Sequence, residues 1–165
     1  SIGAFRVQNW AISLESEFEV LLQQDYRPAS ANVEVHELLP TDSPESVEEL
    51  EAIRQFVEYI NRSVLVAHHV KFDVAMVNRA LERCGAGKLR NATLDTAQLA
   101  RRLNPSAYFP EPGGNSLEKL CQTFKVPLHD RHTASGDAFM TSILLLKILG
   151  RLEKRGVRTL KDLLQ

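Results

Sequence analysis

Cysteine is scarce: Cys84 and Cys121 are the only two in 165 residues. No metal-ligand spacing separates them, and no combination of cysteine and histidine makes a convincing zinc framework. Both fall inside apolar helical patterns and read as buried, reduced core thiols, so a cytoplasmic setting is expected. Long apolar runs are also missing. The longest, Ile143 to Leu146, is bounded by Ser142 and Lys147, far short of the roughly 20 residues a membrane-spanning helix needs, and no membrane partner is expected. Nor is there an excess of positive charge. Twenty Lys and Arg against 21 Asp and Glu give a net charge of -1, which exerts no global pull on a polyanion. The chain opens at Ser1 without an initiator Met or the charged and apolar regions of a signal peptide, so further sequence is expected upstream. Repeats and low-complexity tracts are lacking too.

What is present suits a globular domain. With 44% hydrophobic and 25% charged residues, the chain is long enough to bury one core, and residues 1–165 are expected to form a single domain. Ile2 to Val7 and the alternation around Phe18 and Val20 predict early strands in a meander, with Glu15, Glu17 and Glu19 on a solvent face. A linker with Pro28, Ser30 and Asn32 leads to Asp42-Ser43-Pro44, a helix-start signal, and Val47, Leu50, Ile53, Val57 and Ile60 supply a buried stripe. Val64 to Ala67 predicts a short strand buried on both faces. A helix then carries Val74, Val77, Leu81 and Cys84 and stops at Gly85. Another strand is expected at Ala92 to Asp95, followed by a helix with Ala97, Ala100 and Leu103. The Pro- and Gly-rich segment from Asn104 to Asn115 predicts a loop carrying Tyr108 and Phe109, aromatics that suit surface packing ahead of base stacking. Ser116 caps the next helix, and the last long one buries Ala138, Thr141, Leu145, Ile148 and Leu152. Strands gathered early and then alternating with helices predict an α/β layer structure, a mixed sheet covered by helices.

Charge is unevenly spread. Glu34 to Glu51 is acidic, whereas Lys147, Arg151, Lys154, Arg155, Arg158 and Lys161 make the C-terminal stretch basic. That stretch reads first as a solvated helix face and second as a grip on a phosphate backbone.

Two aspartates stand out by position. Asp73 lies where a strand gives way to a helix, a place where side chains from different elements converge on ligands. Taken alone it reads as an N-cap. Asp137 lies in the first turn of the last helix, where negative charge complements the macrodipole. Together they offer hard oxygen donors suited to Mg²⁺ or Mn²⁺. His132, five residues before Asp137, has an imidazole able to take a proton from water near neutral pH. The adjacent pair His68-His69 is a poor transition-metal site, since neighbours at a strand end are expected to point to opposite sides.

Three segments in order resemble the DnaQ-like, or DEDDh, exonucleases, the family of the DNA polymerase III epsilon proofreading subunit, RNase T and oligoribonuclease. His68-His69-Val70-Lys71-Phe72-Asp73 resembles the second motif, Leu94-Asp95-Thr96 the segment after it, and His132-Thr133-Ala134-Ser135-Gly136-Asp137-Ala138 the third. The resemblance implies a ribonuclease-H-like fold, a mixed β-sheet flanked by helices. It implies 3′-to-5′ hydrolysis of phosphodiester bonds with two Mg²⁺ or Mn²⁺ ions in the complete site. Asp73 and Asp137 would then be metal ligands, and His132 the general base. His68, His69 and Phe72 would face substrate, while Asp95 would be structural beside the site. His69 replaces the family's asparagine. The first motif, Asp-x-Glu on a leading strand, has no counterpart here, because Ile2 to Val7 resembles the strand that follows it; an incomplete site is therefore expected.

The implied substrate is the 3′ end of single-stranded nucleic acid, DNA ahead of RNA, with a role in proofreading, replication or repair. A DNA polymerase or additional domains are the implied partners. The competing reading is a non-catalytic nucleic-acid-binding or interaction module that has lost its first motif.

Overall fold

The computed structural model describes residues 1–23, 47–104, 116–128 and 133–165. The Pro28 to Asn32 linker, the Asp42-Ser43-Pro44 helix start, Tyr108, Phe109 and His132 lie outside the described residues.

Strands β1 (Ile2–Gln8) and β2 (Ala11–Val20) form an antiparallel hairpin. The turn consists of Asn9 and Trp10, both with positive φ, the arrangement whose twist matches that of two hydrogen-bonded strands. A register shift between Ala4 and Arg6 bends β1. Glu15, Glu17 and Glu19 are exposed and Val20 is buried, as the alternation predicts.

Helix α1 (Glu49–Ile60) begins later than its sequence signals suggest. Val47 is not part of its stripe; it pairs with Leu22 in an isolated parallel bridge. Leu50 is 59% exposed and the fully buried Ala52 takes the inward place beside Ile53. The helix packs on α2 (Val70–Arg83) through a cluster of Ile53, Ala80 and Leu81, and Arg83 pairs with Glu49 across the two.

Around α2, strands β3 (Leu65–Ala67) and β4 (Thr93–Asp95) run parallel, joined by the helix as a crossover. β3 is half-buried rather than enclosed on both faces, since β4 is its one paired neighbour among the described residues. Helix α2 stops where Gly85 takes φ +70°, but Cys84 at its C-cap is exposed. That corrects the expectation of a core thiol: Cys84 stands one residue past Arg83, the last residue of the helix, where the chain has left the face that packs on the core.

Asp95 caps α3 (Thr96–Leu103), its carboxylate accepting from the Ala97 N–H at 2.9 Å. Ser116 caps α4 (Leu117–Thr123). Helix α5 (Ala134–Glu153) runs through the larger core, where Leu144, Ile148 and the α4 residue Cys121 are fully buried. Short α6 (Leu160–Leu163) begins with a capping box between Thr159 and Asp162.

The architecture is α/β, with antiparallel and parallel pairing both present. The expected single sheet is divided, however, into two two-stranded ladders, β1-β2 and β3-β4, with none joining them among the described residues. The first turn of α5 lies directly on β1. A Cβ at Gly3 would stand 2.2 Å from the Ala134 carbonyl carbon, so only glycine admits this approach. Phe5 and Phe139 pack nearby with ring centroids 5.4 Å apart.

Two arginines close helix ends belonging to other elements. Arg102 of α3 donates to the Asp162 and Leu163 carbonyls of α6 at 3.0 and 3.1 Å. Arg155, just past α5, donates in turn to the Leu103 and Arg102 carbonyls at the end of α3. Those carbonyls have no partner within their own helices.

Candidate active site

The carboxyl ends of the parallel strands β3 and β4 lie side by side, Ala67 opposite Asp95, and His68, His69 and Asp73 lie next to them. At the end of β3 the backbone changes abruptly. His69 adopts a left-handed conformation, φ 65° and ψ 46°, and serves as N-cap of α2. The helix therefore starts at Val70, and Asp73 lies inside its first turn rather than capping it.

This kink overturns one expectation about the histidines. Side chains alternate only along an extended strand; with His69 left-handed, the His68 and His69 rings meet edge to face at 4.4 Å between centroids. His68 is oriented from behind, its Nδ1 3.0 Å from the hydroxyl oxygen of Thr96, a fully buried residue. His69 is held by its backbone N–H, which donates to Asp95 Oδ1 at 3.3 Å. A single Asp95 oxygen thus receives the start of α3 and the kink before α2. Asp95 is buried at 8% exposure.

Asp73 is exposed as a residue, yet protein packed behind its carboxyl group withholds solvent and pushes its pKa up. The nearby Asp95 charge adds to that rise, while a hydrogen bond from its own backbone and the His69 ring act in the opposite direction. On the same helix Phe72 and Met76, four residues apart, share one face, at 69% and 53% exposure.

Asp137 has different surroundings. Thr133 caps α5, its hydroxyl accepting from the Gly136 N–H at 2.9 Å, and Asp137 follows half-buried in the first turn. It lies close to Cys121, whose thiol is pushed up chiefly by burial and further by the Asp137 charge. Ser135 donates to Glu17 of β2. The structure therefore groups Asp73 with His69 and Asp95, and Asp137 with Cys121. Among the described residues no group of three or more His, Cys, Asp or Glu converges on a single ion position.

Sequence reasoning overlooked Thr96 as a support for His68. The signal was an Asp-Thr pair at a strand-to-helix junction, where the aspartate caps and the next residue turns inward.

The family model described as exonuclease matches residues 1–145, a span containing every one of these positions. The chain belongs to the exonuclease family. Its fold is accordingly ribonuclease-H-like. Three relatives are all described as DNA polymerase III PolC-type. That of Streptococcus sanguinis is 37% identical over 114 residues, 68% of this chain and 8% of the relative. The Bacillus subtilis protein is 32% identical over 138 residues, covering 81% of this chain and 9% of that protein. The Staphylococcus haemolyticus protein is 31% identical over 125 residues, 76% of this chain and 8% of the relative. The exonuclease-family chain thus spans less than a tenth of the length of these relatives. Among the described residues no helix is long and apolar enough to cross a membrane.

Proposed function

We propose that this chain is the 3′-to-5′ exonuclease region of a DNA-polymerase-associated protein and removes nucleotides from single-stranded 3′ ends, DNA in preference to RNA. The observation that carries the reading is the family match across residues 1–145. The PolC-type relatives add the polymerase association.

Asp73 and Asp137 would hold divalent ions. Their carboxylate oxygens are the donors Mg²⁺ and Mn²⁺ prefer, and a cation beside Asp73 would relieve the cost of keeping its carboxylate ionised in a partly dry position near Asp95. Two carboxylates are half of a two-ion set, so the complete site needs further ones. Bound ions would supply charge neutralisation at the phosphoryl group and a more acidic water.

The remaining work falls to side chains. His132 takes the proton from the attacking water on an imidazole nitrogen. The exposed Phe72 ring offers a stacking face to the terminal base. His68 and His69, oriented by Thr96 and Asp95, contact the terminal nucleotide. Asp95 supports them by fixing the two turns.

The test is Mg²⁺- or Mn²⁺-dependent release of nucleotides from a 3′-labelled single strand by the natural full-length protein, beside a His132→Ala variant. Loss of general-base catalysis lowers turnover by about 10²–10⁴-fold. Equal rates in both proteins would remove His132 from the mechanism, and inactivity of both on DNA and RNA would favour a non-catalytic binding module.

A further inference from the structure

The β1-β2 hairpin ends on an unusual residue. In a two-residue turn where both positions have positive φ, Asn9 (51°) is well suited, but Trp10 (64°) is not, because a bulky side chain in the left-handed region crowds its own backbone. The indole gains little shelter in return, remaining 57% exposed. It instead lines an open depression whose other walls come from the end of α4 and the last three turns of α5.

That depression is basic. Lys147, Arg151 and Lys154 recur at four- and three-residue steps, which puts them on one helix face. Lys125 joins them from beyond α4, and Glu153 is the acidic residue in the lining. The Arg151 guanidinium carbon lies over the Phe124 ring, 4.3 Å from its centroid, and the Lys147 ammonium donates to the Lys125 carbonyl at 3.0 Å. At Gly150, between the cations, a Cβ would meet nothing within 4 Å, so the floor is open. In a chain of net charge -1 this concentration of cations is a local departure. Of the basic C-terminal run, Arg155 is directed elsewhere, to the end of α3.

The geometry points to a second nucleic-acid-binding site here: a groove that holds the phosphates of a single strand on Lys125, Lys147, Arg151 and Lys154 while Trp10 stacks on a base. Cations alone would fit any polyanion. The exposed indole selects one with free aromatic faces, and stacking of that kind tolerates any sequence. Gly150 follows Asp137 by thirteen residues, about 20 Å along the helix, so a strand seated here is gripped well away from the candidate active site. The proposal does not depend on cleavage, and its assay contains no divalent metal; its failure and that of the exonuclease reading are therefore separate events.

Trp10 is the sole tryptophan and reports directly. In EDTA, a thymidine oligomer of about 15 nucleotides, within the range one binding domain covers, is expected to quench Trp10 emission. Lys154→Glu, and separately Lys147→Ala combined with Lys154→Ala, should weaken binding at least tenfold with the circular dichroism spectrum unchanged. The double variant should also flatten the salt dependence by about 1.4, at about 0.7 per phosphate contact on a single strand. Saturating oligomer binding seen by anisotropy with Trp10 emission unchanged would overturn the assignment. So would equal quenching by heparin or polyglutamate at matched charge, since neither has a base to stack.

Discussion

Replacing Gly3 with alanine tests the close approach of α5 to β1. The added Cβ would stand 2.2 Å from the Ala134 carbonyl carbon, 2.3 Å from its oxygen and 2.5 Å from the Ser135 nitrogen. All three are backbone atoms in the first turn of α5, and no side-chain rotation relieves them. Ordinary contact begins near 3.4 Å, so the helix start must move about 1.2 Å from β1. Overpacking of this kind costs about 1–3 kcal/mol, a fall in Tm of roughly 2–12 °C for a domain of this size. The displaced turn carries Asp137, and a 1 Å misplacement can cost about 10²-fold in rate. Urea unfolding would give the stability difference, and nucleotide release by the full-length protein the activity. If Gly3→Ala retains wild-type stability within about 0.5 kcal/mol and full activity, the seating of α5 on β1 is wrong as described.

Asp95→Ala should destabilise by about 1–2 kcal/mol, through loss of the α3 cap, and Asp95→Asn by less, as judged from denaturation midpoints. Because Asp73 is raised by burial and by Asp95, its protonated form is favoured in the fold; stability should fall as pH rises from the unfolded to the folded pKa. Asp73→Asn should accordingly raise Tm at neutral pH in EDTA and leave it unchanged below about pH 3, and a variant less stable than wild type at neutral pH would contradict this. With Cys84 exposed and Cys121 buried, a thiol reagent should label one cysteine rapidly and the second upon unfolding; two fast thiols would refute that burial pattern.

Much of the local structure was legible because it follows from chain-local rules. Gly85 terminates and Ser116 caps as their residue types dictate, and of the α5 stripe Thr141, Leu145, Ile148 and Leu152 are buried while Ala138 is half-buried. Failures occurred where a distant contact or the end of a helix overrode the pattern. Val47 matched the α1 stripe but pairs with Leu22. Cys84 matched the α2 stripe but falls at the helix end, in solvent. At the candidate site, residue identities were readable and their relation was not. The meeting of the His68 and His69 rings depends on one left-handed residue, and nothing in a non-glycine sequence announces that. The basic run was visible, but its division was not: Arg155 serves a helix end, while Lys147, Arg151 and Lys154 join Trp10 from the far end of the chain.

The two arginines at the helix ends make the last ten residues more than an appendage. Arg155 closes α3, and from α3 Arg102 closes α6, so the three helices are latched in series. Trimming the chain after Arg158 would strand the Arg102 guanidinium and loosen α3, whose first residue, Thr96, supports His68. Hydrogen exchange in α3 and α6 should then proceed as one cooperative opening, and a boundary chosen for convenience near the C-terminus would be felt at the opposite end of α3.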